Sequence, residues 1–481
     1  MHYIRLLRPA RIEGLVSSSE HHHHHHHHHT SHHQSSYPYP NPSPRNRRGG
    51  GGRGGAKPSS SSNSSPSSSS EGGPHLSLLV TITTDLGDSF LCPGPGSAVD
   101  IVVSAHAAEE DDDEDDDDDN GTVKNQRGPL PLLLPPAPRF RWTPGLRVLE
   151  LRARLRPHLA ALPARFTVRV GCYGGSSSPL AGEEQVMPVA VEMRGAACAP
   201  VALRTLRLFF DHEHELCFEE DIGESIARHI WDAGVVAARA FLAQGQGQGI
   251  REEVLRRGGA PINVLELGSG VGILGISIAA ALESAAAAAN GSGGDSSTRQ
   301  STVLLTDLPE AEERARANMA RADVVLTGVA LTAGGDPEAR PDALRATRLQ
   351  YENLDWDEGR RGRFGPLVRA AAAPWDLVVL SDCTYNVDSL PALVGTLSAL
   401  HELSVTAGMR GDGGEEEEEG GFKSTVLLAT KPRHESEKAL FGLLDAEGWR
   451  YRLWKGIPLP KMGEEDEVVE IYLLEKGGRA G

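Results

Sequence analysis

Cysteine pairs, long apolar runs and a field of charge of one sign are all missing from this chain. Its five cysteines, Cys92, Cys172, Cys198, Cys217 and Cys383, are scattered, with no C-x-x-C pair and no histidine at metal spacing beside them. That excludes a disulfide framework, gives no basis for a metal site and fits a reducing compartment. No window approaches the ~18 consecutive apolar residues of a membrane-spanning helix. The net charge of −18 comes from 48 Lys and Arg against 66 Asp and Glu. Residues 109–119 supply 11 of the acids and Glu415–Glu419 another 5; without these two runs about −2 remains. The acidity is thus confined to two solvated tracts and argues neither way on nucleic acid. Neither a nucleic-acid nor a membrane partner is expected. The Arg-Gly stretch 47–55 lacks the interleaved aromatics that base stacking needs, so it reads as a linker.

What is present divides the chain into regions. Residues 1–16 form a short N-terminal segment. Arg5, Arg8 and Arg11 precede any interior acid, as in a mitochondrial presequence, but the apolar core Tyr3–Leu7 is too short for a secretory signal. The expected location is the cytoplasm, with the nucleus and mitochondrial import as alternatives. Residues 17–74 are of low complexity, with nine consecutive histidines at His21–His29, and cannot bury enough apolar surface to fold. From 75 to 217, short β-branched runs predict a β-rich module with strands at Leu76–Thr84, Ala98–Ala105, Leu146–Leu155, Phe166–Gly171, Met187–Met193 and Leu203–Phe210, interrupted by an acidic loop at 106–127. His212 and His214, alternating with Glu213 and Glu215, read as an exposed turn rather than a metal site.

From 218 to 476, helical and strand patterns alternate, which predicts a doubly wound α/β domain. A long amphipathic helix is expected over Ile222–Leu242. Strands are expected at Asn263–Leu267, Thr302–Thr306, Thr347–Leu354, Trp375–Ser381, Thr425–Thr430, Arg450–Lys455 and Val468–Leu474, with inserted loops at 283–300, 323–346 and 406–421.

The chemistry concentrates at the ends of four of these strands. Asn263–Gly275 runs from an apolar strand into a loop of Gly268, Gly270 and Gly272, whose missing β-carbons let backbone N–H groups approach a ligand. Gly270, Gly272 and Gly275 also satisfy the dinucleotide pattern G-x-G-x-x-G, which keeps a nicotinamide-dependent oxidoreductase open. Asp307, in T-D-L-P at the end of the next strand, can accept hydrogen bonds from both hydroxyls of a ribose. The indole of Trp356, in L-D-W, can cover an adenine face. The strand Trp375–Ser381 ends in D-x-x-Y, bringing Asp382 and Tyr385 to the carboxyl edge of the sheet, where α/β ligands bind.

Together, Gly223, Ser225, Ala227 and Trp231 in G-x-S-x-A-x-x-I-W, E-L-G-S-G-V-G from Glu266, T-D-L-P, L-D-W and S-D-C-T-Y-N-V-D-S-L-P resemble methyltransferase family 16, the seven-strand protein-lysine methyltransferases. The similarity covers about 218–476. It implies a Rossmann-like seven-stranded class I methyltransferase sheet with helices on both faces, joined to the β-rich module, and S-adenosyl-L-methionine as cofactor. By the resemblance, Glu266, Gly268, Ser269, Gly270 and Gly272 form the methionine-binding loop, Asp307 holds the ribose and Trp356 flanks the adenine. Trp231 and Ser381 are further cofactor contacts, and Asp382 and Tyr385 stand beside the target lysine. The implied partner is a lysine-bearing protein of the chaperone, AAA ATPase or elongation-factor kind. Other readings are a small-molecule N-methyltransferase acting on a nicotinamide-like substrate and a non-catalytic interaction module.

Overall fold

The structure is a computed structural model. It describes residues 1–14, 73–107, 130–156, 162–173, 186–207, 215–223, 225–242, 250, 254, 262–290, 300–327, 346–370, 374–411, 423–460 and 467–477. The histidine run, most of the acidic loop and the His212/His214 pair lie outside the described residues.

Twelve strands precede the first described helix: β1 (His2–Leu6), β2 (Arg11–Glu13), β3 (His75–Thr83), β4 (Val99–Ala107), β5 (Arg139–Trp142), β6 (Leu149–Arg154), β7 (Phe166–Cys172), β8 (Val186–Met187), β9 (Val189–Arg194), β10 (Ala197–Cys198), β11 (Val201–Arg207) and β12 (Glu215–Asp221). One sheet runs β2-β3-β1-β8, with β6 also on β3; another runs β12-β11-β9-β7-β4-β5, with β10 on β9. Alternation explains the packing: along β6, Leu151 and Ala153 are buried while Arg152 and Arg154 are exposed. Inward residues such as Ile4, Leu78, Val103, Leu151, Phe166 and Val168 form one core, each large side chain contributing about 1.5–3 kcal/mol by leaving water.

Two boundaries differ from the sequence reading. Residues taken as a separate N-terminal segment form an interior strand, with Tyr3 opposite Thr83 on β3 and His2 beside Val186 on β8. Tyr3 and Ile4 are fully buried, a partnership that five apolar-leaning residues do not announce. The module also continues to Asp221, because β12 pairs with β11 from Leu206↔Leu216 through Val201↔Asp221. Its acids suggest a turn, yet Glu220 points inward onto Arg204 at 2.6 Å.

The remainder is a mixed sheet of β13 (Asn263–Leu267), β14 (Ser301–Asp307), β15 (Thr347–Asn353), β16 (Leu377–Ser381), β17 (Lys423–Thr430), β18 (Arg450–Pro458) and β19 (Val468–Gly477). The order is β15-β14-β13-β16-β17-β19-β18, parallel except that β19 runs antiparallel to both its neighbours. Helices α1 (Asp232–Leu242), α2 (Ile273–Asn290), α3 (Pro309–Thr327), α4 (Trp356–Gly359), α5 (Pro366–Arg369), α6 (Leu390–Gly411) and α7 (Ala439–Ala446) connect or flank the strands. Val264, Val303, Leu305 and Val379 pack toward α1 and α2, whereas Leu265, Leu267, Leu304 and Leu380 pack toward α6 and α7. A strand buried on both faces must be apolar without alternation, as Val264, Leu265 and Leu267 of β13 are.

The long helix expected from Ile222 is confined to Asp232–Leu242; Gly223 has a φ of 135°, a helix-incompatible value, and the chain reaches α1 through turns. Helices α2, α3 and α6 absorb the first residues of the three expected insertions. Among the described residues, no helix is long and apolar enough to cross a membrane, and no three His, Cys, Asp or Glu side chains are grouped to hold a metal.

Candidate active site

Strand β13 hydrogen-bonds to β14 on one side and β16 on the other, so the connections leave in opposite directions and open a crevice at its carboxyl end. A cavity of about 1160 Å3 occupies it. Gly268, Gly270, Asp307, Trp356, Ser381, Asp382 and Tyr385 line it, together with Trp231 from the segment before α1.

The glycine loop folds by left-handed backbone at Gly268 (φ 64°), Gly270 (φ 53°) and Gly272 (φ 84°), a region costly for residues with a β-carbon. A β-carbon on Gly268 would lie 2.6 Å from Cys383 Sγ and 3.2 Å from the Trp356 ring. The loop is pinned by Ser269 N–H donating to the Thr306 carbonyl at 3.0 Å and by Gly272 N–H to the Ser269 carbonyl at 2.7 Å.

Three residues assigned to the cofactor by sequence do not line the cavity. Glu266 is fully buried beneath the loop, where its Oε2 accepts from Gly275 N–H at 2.9 Å and its Oε1 has no partner. Burial pushes its carboxyl up to about 8; the Gly275 bond opposes this and the Asp307 charge adds to it. The Ser269 hydroxyl is buried and unpartnered. Gly272 serves packing, since a β-carbon there would lie 2.7 Å from Leu305. Glu266, Ser269 and Gly272 therefore build the loop from behind, and Gly268 and Gly270 present it.

Asp307 ends β14 with one carboxylate oxygen on Gly270 N–H and the other on Leu308 N–H, both at 2.7 Å. Burial raises its carboxyl, partly offset by those two donors. Asp355 caps α4 by accepting from Asp357 N–H at 2.8 Å, which sets Trp356 at the first helical position above the loop. Thr396 donates to the Trp356 carbonyl at 3.0 Å. Trp231 gives its indole N–H to the Ile226 carbonyl at 2.9 Å. A carboxylate for paired hydroxyls, a flat ring for a base and a backbone cradle without β-carbons fit a nucleoside cofactor.

Asp382 follows β16 at a φ of 52°. Its Oδ2 accepts from Ala233 N–H at 2.8 Å; its Oδ1 accepts from Arg433 Nη1 at 2.7 Å and from Lys431 N–H at 3.3 Å. The carboxylate that the resemblance sets beside an acceptor is held from three sides, and it ties the start of α1 to the end of β17. Tyr385 lies at the mouth, half-exposed, with its phenol raised chiefly by burial.

Sequence reasoning missed several residues here. Cys383, given no role there, is buried under Gly268 with its thiol pushed well above the usual range by burial. Arg433 also lines the cavity; its signal was available, because Lys431 and Arg433 directly follow an apolar parallel strand. Asp85 and Leu86 come from the N-terminal module, and no local pattern marks them. Burial alone would raise Asp85, but Arg433 and Lys431 beside it hold it down to about 2. Asp232, buried within α1, receives the Tyr3 hydroxyl at 2.7 Å and Lys431 Nζ at 2.9 Å, so β1 is joined to the same cluster.

Comparison with known proteins gives related descriptions. A family model described as a lysine methyltransferase matches residues 210–333 and 338–447. The UPF0665 family protein C23C4.06c of Schizosaccharomyces pombe is 28% identical over 262 residues, 54% of this chain and 56% of that protein. The chain thus spans just over half the length of this curated relative. Among solved structures, SMU.776 in complex with SAH is similar at 11% identity and a TM-score of 0.31, covering 60% of this chain and 59% of that one. An O-methyltransferase family protein from Burkholderia thailandensis gives 13% identity and a TM-score of 0.25, covering 47% and 53%. Overlap this slight carries nothing about substrate.

Proposed function

We propose that this protein, whose residues 210–333 and 338–447 match a family model described as a lysine methyltransferase, is an S-adenosylmethionine-dependent methyltransferase whose acceptor is a lysine side chain of another protein, encountered in the cytoplasm. The observation that carries this reading is the convergence of Gly268, Gly270, Asp307 and Trp356 with Asp382 and Tyr385 on one cavity. The sheet order β15-β14-β13-β16-β17-β19-β18, with its single antiparallel strand, supports the class I seven-strand arrangement.

S-adenosylmethionine, when bound, supplies an electrophilic methyl group on a sulfonium. Asp307 would hold the ribose hydroxyls, Trp356 the adenine face, and the Gly268–Gly270 backbone the methionine part. Methyl transfer is an in-line displacement, so the acceptor amine must arrive neutral and aligned. A free lysine has a pKa of about 10.4, and partial desolvation in the cavity lowers it. Asp382, with its oxygens engaged by Ala233, Lys431 and Arg433, orients an amine by its fixed charge. Tyr385 provides an aromatic wall.

The test is to incubate the protein and labelled S-adenosylmethionine with lysate from a strain lacking it, and to map labelled residues by mass spectrometry. Label on lysine is expected. Label on metabolites alone would replace the protein acceptor with a small molecule.

A further inference from the structure

The turn between β3 and β4 carries the N-terminal module into the wall of the candidate site. Gly87 N–H donates to the Thr84 carbonyl at 3.0 Å and closes the turn. Inside it, Asp85 is almost wholly buried, and its carboxylate receives Lys431 Nζ at 2.9 Å, Arg433 Nη2 at 2.6 Å and Asp232 N–H at 3.3 Å. Arg5 holds the Asp85 carbonyl at 2.6 Å. The same Arg433 grips Asp382 with its other terminal nitrogen. Asp85, Arg433 and Asp382 therefore fix the turn against the end of β16, the acceptor end of the cavity.

Leu86 is the next residue. It lines the cavity, yet 49% of its surface stays exposed, and Ile226 and Tyr385, which line it too, are 61% and 53% exposed. Large apolar side chains clustered at the mouth of a cleft mark a surface that something covers. Nothing in the packing of the module requires Leu86 to point there, whereas Asp85 beside it is bound at every oxygen.

We propose that Leu86 is an acceptor-specificity residue, forming with Ile226 and Tyr385 the apolar wall along which the aliphatic stem of the acceptor lysine passes. This rests on the protein-lysine reading above and gives the N-terminal module a direct part in that site. The chemistry suits lysine, whose four-carbon stem buries on apolar surface while its amine stays at a polar group, here the Asp382 end. An acceptor with a short or polar stem would leave the wall uncovered.

The test uses the full chain and two ligands compared by calorimetry. One is S-adenosylhomocysteine; the other is a bisubstrate compound in which nitrogen replaces that sulfur and carries, through a short link, an amine bearing a four-carbon chain. Leu86→Trp, which fills the wall, should weaken the arm-bearing compound about tenfold or more and leave S-adenosylhomocysteine within about twofold. Leu86→Ala, which only removes contact, should weaken the arm-bearing compound about threefold to fivefold. An unchanged ratio between the two ligands, or an equal loss for both, overturns the proposal. The ratio needs no protein acceptor, so it is decided independently of whether the lysate experiment finds labelled lysine.

Discussion

Arg433 Nη1 stands 2.7 Å from Asp382 Oδ1, and both side chains are largely shut off from water. Deleting one partner of such a buried pair leaves the other uncompensated and costs about 3–5 kcal/mol. Asp382→Ala should therefore lose stability of that order as well as methyl transfer. Asp382→Asn keeps an oxygen for Ala233 N–H and tolerates left-handed backbone, so it should retain more of the fold. It should still slow transfer about a hundredfold, because the acceptor amine is no longer aligned by the carboxylate charge. Urea denaturation and single-turnover transfer read the two effects separately. An asparagine variant with full turnover removes the acceptor-orienting role.

Asp307 combines two tasks, holding Gly270 N–H and facing the cavity. Hydrogen bonds to a charged group contribute about 1.5–3 kcal/mol each, so Asp307→Ala should weaken S-adenosylhomocysteine binding about tenfold to a hundredfold. Calorimetry checks this. Affinity equal to the wild type would mean that the ribose lies elsewhere.

Legibility in the sequence followed burial. Strand β13 was found to the residue, and β14 and β16 to within two residues, because parallel strands covered on both faces are continuous apolar runs. Strands β1 and β12 were not found: one is short and the other carries acids, and their burial depends on partners far along the chain, such as Arg204 for Glu220. The glycine loop was legible as a loop. Which of its atoms face the cavity was not, since left-handed glycines alternating with Ser269 and Val271 follow neither the helical nor the strand period, and Ser269 and Gly272 do not line the cavity. Leu86 reaches the cavity, and Asp85 reaches Lys431 and Arg433 beside it, only through the docking of another sheet, which no spacing rule encodes.

The Glu266 carboxyl gives stability a specific pH dependence. Its ordinary value is 4.5 and burial lifts it to about 8. Between those values the folded chain keeps a proton that the unfolded chain has released. The stabilisation present below about 4.5 is thus lost progressively as pH rises toward about 8. Glu266→Gln cannot ionise, and its amide oxygen can still accept from Gly275 N–H. The difference in stability, variant minus wild type, should therefore grow by a few kcal/mol between about pH 5 and pH 8, at roughly 1.4 kcal/mol for each pH step of one. Denaturant midpoints across that window test the slope. A difference independent of pH would mean that Glu266 titrates alike in both states.

Gly268 is predicted to be intolerant for two separable reasons. Alanine at a φ of 64° costs about 1–2 kcal/mol from backbone alone. Its β-carbon would also sit 2.6 Å from Cys383 Sγ and 3.2 Å from the Trp356 ring, so the ring must tilt away from the face proposed for adenine. Gly268→Ala should lose stability and weaken S-adenosylhomocysteine binding about tenfold. Cys383→Ala separates the causes: the thiol is buried and far from ionising, so its removal takes away packing and steric contact without removing a charge. If the contact dominates, the double variant should be more stable than the sum of the single losses predicts, by a coupling of about 1 kcal/mol. Strict additivity would instead assign the loss to the left-handed backbone and the Trp356 contact, with nothing owed to the Cys383 thiol.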